Sequence, residues 1–161
     1  MKHGQLPGSL ELAYLGDTLW DLFVREQLVR TGGRMKELHR AAVARVRAGA
    51  QSEALARIEG ELTEEEAAVV RRARNTRQTP TKNADPAQYC RATALEALFG
   101  YLYLTDQRDR MHDLMHKAAG QAGQAGQGPE PLAAADLNTK LGGHRFEPKD
   151  SSWDIGQRST P

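Results

Sequence analysis

Two stretches of this sequence are more apolar than a helix lying on a surface can be. LAYLGDTLWDLFVR, Leu12 to Arg25, sets a carboxylate, Asp17, directly after a glycine in a mostly apolar run. ATALEALFGYLYL, Ala92 to Leu104, holds a single acid or base, Glu96, among Ala, Leu, Phe and Gly. In the first run Leu12, Leu15, Leu19 and Leu22 follow the spacing of one helical face. Tyr14, Asp17 and Asp21 form a stripe roughly opposite, and Ala13, Trp20 and Val24 flank that stripe. A helix surrounded by apolar groups on most of its sides needs cover from another element or another subunit. The chain must therefore build its interior from helices.

The remaining signals agree with that requirement. Ser9 can cap the first helix, and Gly32 and Gly33 stop it. A second helix is expected over Met35 to Ala48 with Leu38, Ala41, Ala42 and Val46 inward, and a third over Ser52 to Glu59 with Leu55 and Ile58 inward. Thr63 followed by Glu66 makes a capping box for a helix through Ala67, Val69 and Val70. Asp85 as N-cap with Pro86 at the first helical position opens the longest element, expected to continue to about His116. Tyr101 and Tyr103 are expected to serve packing, and His112 and His116 to be polar residues near a helix end. No alternating run asks for a strand, so the fold class is all-α.

The 161 residues suffice for one domain, placed at 9–117. After Lys117 the texture changes to AAGQAGQAGQGPEPLAAA, which reads as a linker, so 118–161 is assigned to linker and tail. The tail has two readings: disorder, or a short interaction segment using Phe146, Trp153 and Ile155. One cysteine, Cys90, cannot form an internal disulfide, and MKHGQLPGS lacks the apolar core of a secretion signal. No apolar run approaches the roughly 18 residues that span a bilayer. A cytoplasmic protein without membrane attachment is expected.

The isolated acids are the first chemical signal. An ionised carboxylate under apolar cover is costly unless a cation or hydrogen-bond donors meet it. Asp17 could pair with one of the many arginines, or lie at an exposed helix edge. Glu96 repeats the pattern in a more apolar run, and both acids neighbour small residues, Gly16, Ala97 and Gly100, that permit close helix approach. Two such carboxylates suit a hard cation of the Mg²⁺ type, which takes oxygen ligands, keeps waters and borrows phosphate oxygens from a substrate. A divalent ion of this kind supports phosphodiester hydrolysis. Spacing alone leaves open whether the two acids meet.

The second signal is basic. With 22 Lys and Arg against 21 Asp and Glu, net charge does not recruit a polyanion, so any such site must be local. RRARNTRQTPTKNA, Arg71 to Ala84, carries Arg71, Arg72, Arg74, Arg77 and Lys82 with no acid. Thr79, Pro80 and Thr81 end helical continuity there, so much of the segment is expected to be a flexible loop with its arginines in water. Such a loop can hold phosphate oxygens, with Asn75, Thr76, Gln78 and Asn83 as neutral donors, or it can be a solvated loop with no ligand. It lacks aromatics, which argues against stacking on single strands and for a duplex gripped by its backbone.

With these residues in hand, the chain resembles the Mini-ribonuclease 3 family, bacterial ribonuclease III relatives that lack the double-stranded-RNA-binding domain. The likeness rests on LAYLGDTLWDLFVR at 12–25, LHRAAVARVRAGAQSEAL at 38–55, LTEEEAAVVRRARN at 62–75 and KNADPAQYCRATALEALFGYLYL at 82–104, in the family order. It implies the ribonuclease III helical fold, Asp17 as the catalytic aspartate, and Asp17 and Glu96 as ligands of Mg²⁺. Full-length ribonuclease III has a glutamate four residues before that aspartate and an aspartate three before that glutamate. Here Ala13 and Thr93 stand in those places, the departure characteristic of the Mini group, and Asp21 stands where the family usually has glutamate.

The resemblance further implies a homodimer that cuts both strands of double-stranded RNA, leaving 5′ phosphates, with the precursor of large-subunit ribosomal RNA as substrate. Arg71, Arg74, Asn75, Arg77, Lys82 and Asn83 would contact the duplex. Two other readings stand beside it: a non-catalytic RNA-binding or ribosome-assembly module of the same fold, and a helical protein-interaction domain whose basic segment packs against Glu64, Glu65 and Glu66.

Overall fold

The computed structural model describes residues 6–77 and 85–121. They form six α-helices: α1 (Ser9–Thr31), α2 (Met35–Val46), α3 (Ala48–Ile58), α4 (Glu64–Asn75), α5 (Pro86–Leu104) and α6 (Arg108–Ala118). A 3₁₀ turn, Glu59–Glu61, links α3 to α4, and no strand occurs among the described residues. The all-α expectation holds. No described helix is long and apolar enough to cross a membrane.

Helix α5 is the centre, packed by α1, α3, α4 and α6. From Ala92 to Leu102 every residue except Glu96 is buried. The isolated acid is thus the one break in the cover of that stretch.

Two glycines set how closely α1 and α5 cross. A Cβ added to Gly16 would lie 1.7 Å from the Glu96 carbonyl oxygen, and one added to Gly100 would lie 2.0 Å from that of Leu12. Backbone therefore meets backbone in both directions, with no side chain between to yield. The face marked by leucine spacing is not the inner face of α1. Leu12 is buried, but Leu15 and Leu19 are half-buried and Leu22 is 62% exposed. The inner face consists of Leu12, Ala13, Gly16, Trp20, Phe23, Val24 and Leu28. In a helix apolar nearly all round, the closest approach selects the face, and Gly16 rather than the leucines allows it. Trp20 then stacks between Phe23 and Phe99, at ring-centroid distances of 5.6 and 5.5 Å.

Side-chain caps set the starts of α4 and α5. Thr63 and Glu66 make the expected box: the Glu66 N–H donates to Thr63 Oγ1 and the Thr63 N–H donates to Glu66 Oε2. Asp85 caps α5 by accepting from the Ala87 and Gln88 N–H groups, with Pro86 following. At the start of α1 the cap is Gly8 and Ser9 is already helical. Helix α3 begins at Ala48, four residues before the expected Ser52, because Arg47 in extended conformation ends α2 and starts α3 at once.

Two boundaries differ more. The long helix does not reach His116: α5 stops at Leu104, Asp106 takes a left-handed conformation (φ 59°), and the Gln107 N–H donates back to the Leu102 carbonyl. Asp tolerates that region better than most residues. Helix α6 then folds back, held by Arg110 on Glu66 (2.9 Å) and by Lys117 on Glu61 (2.6 Å). The second lies in the basic segment, where Arg71 to Asn75 complete α4 and Thr76 and Arg77 are already outside helix, while the expected loop over much of the segment falls largely on 78–84, outside the described residues. Thr79, Pro80 and Thr81, and the tail with Phe146, Trp153 and Ile155, lie outside the described residues.

Candidate active site

Where α1 crosses α5, the ends of α2 and α3 leave an opening of about 400 Å³. Asp17 projects from α1 and Glu96 from α5, and both line it. Gly16 and Ala97, next to them in sequence, are buried in the helix crossing, so the contact that brings the backbones together also brings these two side chains to one cleft. Among the described residues, no Lys, Arg or His lines the cleft.

The electrostatics follow from this composition. Burial is the main cause that pushes the Glu96 carboxyl up to about 8; the Asp17 charge adds to it, and a hydrogen bond from Gln51 opposes it. Asp17 is raised as well, by partial burial and then by Asp21. The larger rise at Glu96 reflects exposure, since Asp17 sits at the exposed lip and Glu96 is more deeply covered. Asp17 is thus less covered than its apolar neighbours suggest. Asp21, half-buried on the same stripe, is held by Arg25 at 2.7 Å.

Oxygen donors without a base fit a hard divalent cation, whose charge would relieve both the repulsion and the cost of burial. The described residues contain no cluster of three or more His, Cys, Asp or Glu that could hold a metal, so they offer it two carboxylates in this cleft. Ala13 and Thr93 both line the cleft. Thr93 Oγ1 donates to the Tyr89 carbonyl at 3.1 Å.

The basic residues lie elsewhere. Arg71, Arg74 and Asn75 lie on the last turns of α4, where both arginines are exposed, and Arg77 is exposed just beyond them; none lines the cleft. Arg74 approaches Glu59 at 3.8 Å, but Glu59 is gripped by both terminal nitrogens of Arg91, at 3.1 and 3.0 Å. Lys82 and Asn83 lie outside the described residues. Glu64, Glu65 and Glu66 do not neutralise this patch, because Glu66 holds Arg110 and Glu65 accepts from the Tyr101 hydroxyl at 3.4 Å. Among the described residues, no ion pair joins Glu64, Glu65 or Glu66 to Arg71, Arg72, Arg74 or Arg77. Tyr103 packs under the Arg108 guanidinium, 3.7 Å from the ring centroid. His112 is exposed, and His116 sets its ring edge against Phe23.

Sequence reasoning missed Gln51. Only 2% exposed, it lines the cleft from α3. A single Gln in a helix among alanines carries no signal of such a position.

A fold of six helices with two acids at the α1–α5 crossing defines a class, and the comparisons name it: residues 10–107 match the ribonuclease III domain. The relatives are more particular. A Mini-ribonuclease 3 from Symbiobacterium thermophilum is 47% identical over 112 residues, covering 68% of this chain and 86% of its own length. One from Gloeobacter violaceus is 48% identical over 109 residues (67% and 80%), and one from Enterococcus faecalis 41% over 124 residues (74% and 93%). A crystal structure of a Fusobacterium nucleatum protein superposes with a TM-score of 0.65 at 31% identity, covering 70% of this chain and 92% of that one. The chain belongs to the Mini-ribonuclease 3 family and is an endoribonuclease of the ribonuclease III type.

Proposed function

We propose that the chain is a Mg²⁺-dependent endoribonuclease of double-stranded RNA that matures the precursor of large-subunit ribosomal RNA in the cytoplasm as a homodimer. The observation that carries this reading is the pair of carboxylates, Asp17 and Glu96, facing one cleft that no base lines among the described residues. Glu96 holds the ion, while Asp17 helps to hold it and orients the attacking water. Bound Mg²⁺ supplies Lewis acidity for hydrolysis of the phosphodiester, giving 5′ phosphate and 3′ hydroxyl ends. Residues 9–117 carry this activity.

Arg71, Arg74, Asn75, Arg77, Lys82 and Asn83 serve as the duplex contacts. The exposed basic face at the end of α4, where Arg74 shares Glu59 with Arg91 and Arg71 is exposed, supports this for the residues described there. Leu10 and Tyr14, the latter 84% exposed, leave an apolar edge at the cleft, which supports a second protomer covering it. Two clefts are then available to cut two strands. The ribosomal substrate rests on the resemblance to the family.

The test is incubation of the purified chain with an end-labelled RNA duplex. Cleavage should require Mg²⁺, stop with chelator, leave 5′ phosphates and spare single-stranded RNA of the same sequence. Cutting that persists in chelator would end the metal-dependent reading.

A further inference from the structure

We infer that α2 is a second phosphate-gripping face: its exposed bases, Lys36, Arg40 and Arg47 above all, hold the backbone of the RNA duplex where it leaves the cleft. The inference rests on the proposed duplex substrate and extends its footprint beyond the end of α4.

Between Arg34 and Arg47 the chain carries five bases, Arg34, Lys36, Arg40, Arg45 and Arg47, against one acid, Glu37. All five bases are exposed. What separates them from bases on the other helices is pairing. Elsewhere an acid commonly stands one turn away, as Asp21 does for Arg25, Glu26 for Arg30, Glu53 for Arg57 and Asp113 for Lys117. On α2 no acid stands four residues from any of the five. Among the described residues, none of them makes an ion pair. Lys36 and Arg40, one turn apart, instead repel each other, which costs stability in a helix that faces water alone. A polyanion laid along the helix removes that cost.

Placement favours the substrate of the cleft as that polyanion. Lys36, Arg40 and Arg47 fall within about 40° of one another around the axis at 3.6 residues per turn, turned away from the buried Ala42. Arg47 stands between Val46 and Ala48, both of which line the cleft. The run of charge therefore starts at the rim of the opening that holds Asp17 and Glu96 and extends for roughly 16 Å at about 1.5 Å per residue. A line of cations suits a chain of phosphates rather than a single one. Met35 and Val43 are the large apolar groups exposed on α2, too few to enter a lipid surface.

The test is filter binding of a labelled RNA duplex across a range of salt, in chelator so that nothing is cut. Native full-length protein is compared with Arg40→Gln/Arg47→Gln, with Arg40→Lys/Arg47→Lys, and with Arg57→Gln/Arg108→Gln, which removes two cations that have acidic partners. The α2 glutamine variant should bind about tenfold or more weaker at about 0.1 M salt, with a logarithmic slope lower by about two. The lysine variant should bind as native protein does, and the Arg57 and Arg108 variant within about threefold of it. With saturating protein and Mg²⁺, the α2 glutamine variant should cut at the native rate, because these bases grip and do not react. A loss no greater than that of the Arg57 and Arg108 variant, or an unchanged slope, overturns the inference. So does native affinity with a lowered rate at saturation. If the glutamine variant melts early, Lys36→Gln/Arg40→Gln is held to the same criteria. Native protein that retains no duplex even at low salt, or that is held by anionic phospholipid vesicles instead, would refute the duplex reading itself and α2 with it.

Discussion

The two acids of the cleft have different surroundings. Glu96 interrupts an otherwise buried stretch of α5, and burial followed by the Asp17 charge raises it to about 8. The sign of its effect on stability follows. An unfolded glutamate titrates near 4.5, so between that value and about 8 the folded chain binds more protons than the unfolded one. Without metal, stability should therefore fall as pH rises through this window. Glu96→Gln, which cannot ionise, should melt higher than native protein at pH 8 in chelator, and the gap should close toward pH 5. A flat difference across that range would show that Glu96 is not strained by its surroundings. Sequence made the acids visible through their isolation among apolar neighbours. It did not reveal Gln51, because the position of that residue in the cleft depends on a helix break shortly before it, whose Val46 carbonyl its side chain meets.

At the scale of elements, the crossing of α1 and α5 is the feature on which the site depends. Gly16→Ala would force a methyl group into the Glu96 carbonyl. Overfilling a packed interior costs about 1–3 kcal/mol, occasionally more, and a clash against backbone belongs at the upper end. Thermal melting should show that loss, together with reduced cleavage, since the same crossing sets the acids in place. Gly16→Ala at native stability would mean that the helices can separate without penalty. The attachment of α6 gives a second prediction. Glu66, only 2% exposed, completes the α4 capping box and holds Arg110. That hydrogen-bonded guanidinium is the largest cause holding its carboxyl below the ordinary value. Its contribution is present above the unfolded pKa and is lost as pH falls through the lower folded one. Glu66→Ala should cost about 1–3 kcal/mol at neutral pH and progressively less in acid, as read by denaturant titration at several pH values. An equal loss at every pH would exclude the ion pair as its source. Capping was the legible part here, as Thr63, Glu66, Asp85 and Pro86 show. The inward face of α1 was not legible, because leucine spacing names a face only where the opposite side is polar. Nor was the end of α5, where the left-handed Asp106 breaks the helix with neither Gly nor Pro to announce it.

For the whole molecule, nearly neutral net charge means that duplex affinity has to come from local faces. Replacing Arg74 and Arg77 together by Ala should weaken duplex binding and flatten its salt dependence, the logarithmic slope falling by about one for each phosphate no longer engaged. Filter binding across a range of salt reads this. An unchanged slope would assign the duplex to another surface. The basic segment was legible as a local excess of charge, though not as the last turns of a helix, because Thr79, Pro80 and Thr81 mark where helix must end and not where it does. The central claim is that Asp17 and Glu96, brought together by the helix crossing, form one cleavage centre. Single-turnover cleavage of a labelled RNA duplex by native protein and by Asp17→Asn, with duplex retention measured on the same samples, tests it most directly. The account predicts that Asp17→Asn retains the duplex and cuts almost none of it at any Mg²⁺ concentration, whereas cutting at the native rate would contradict it.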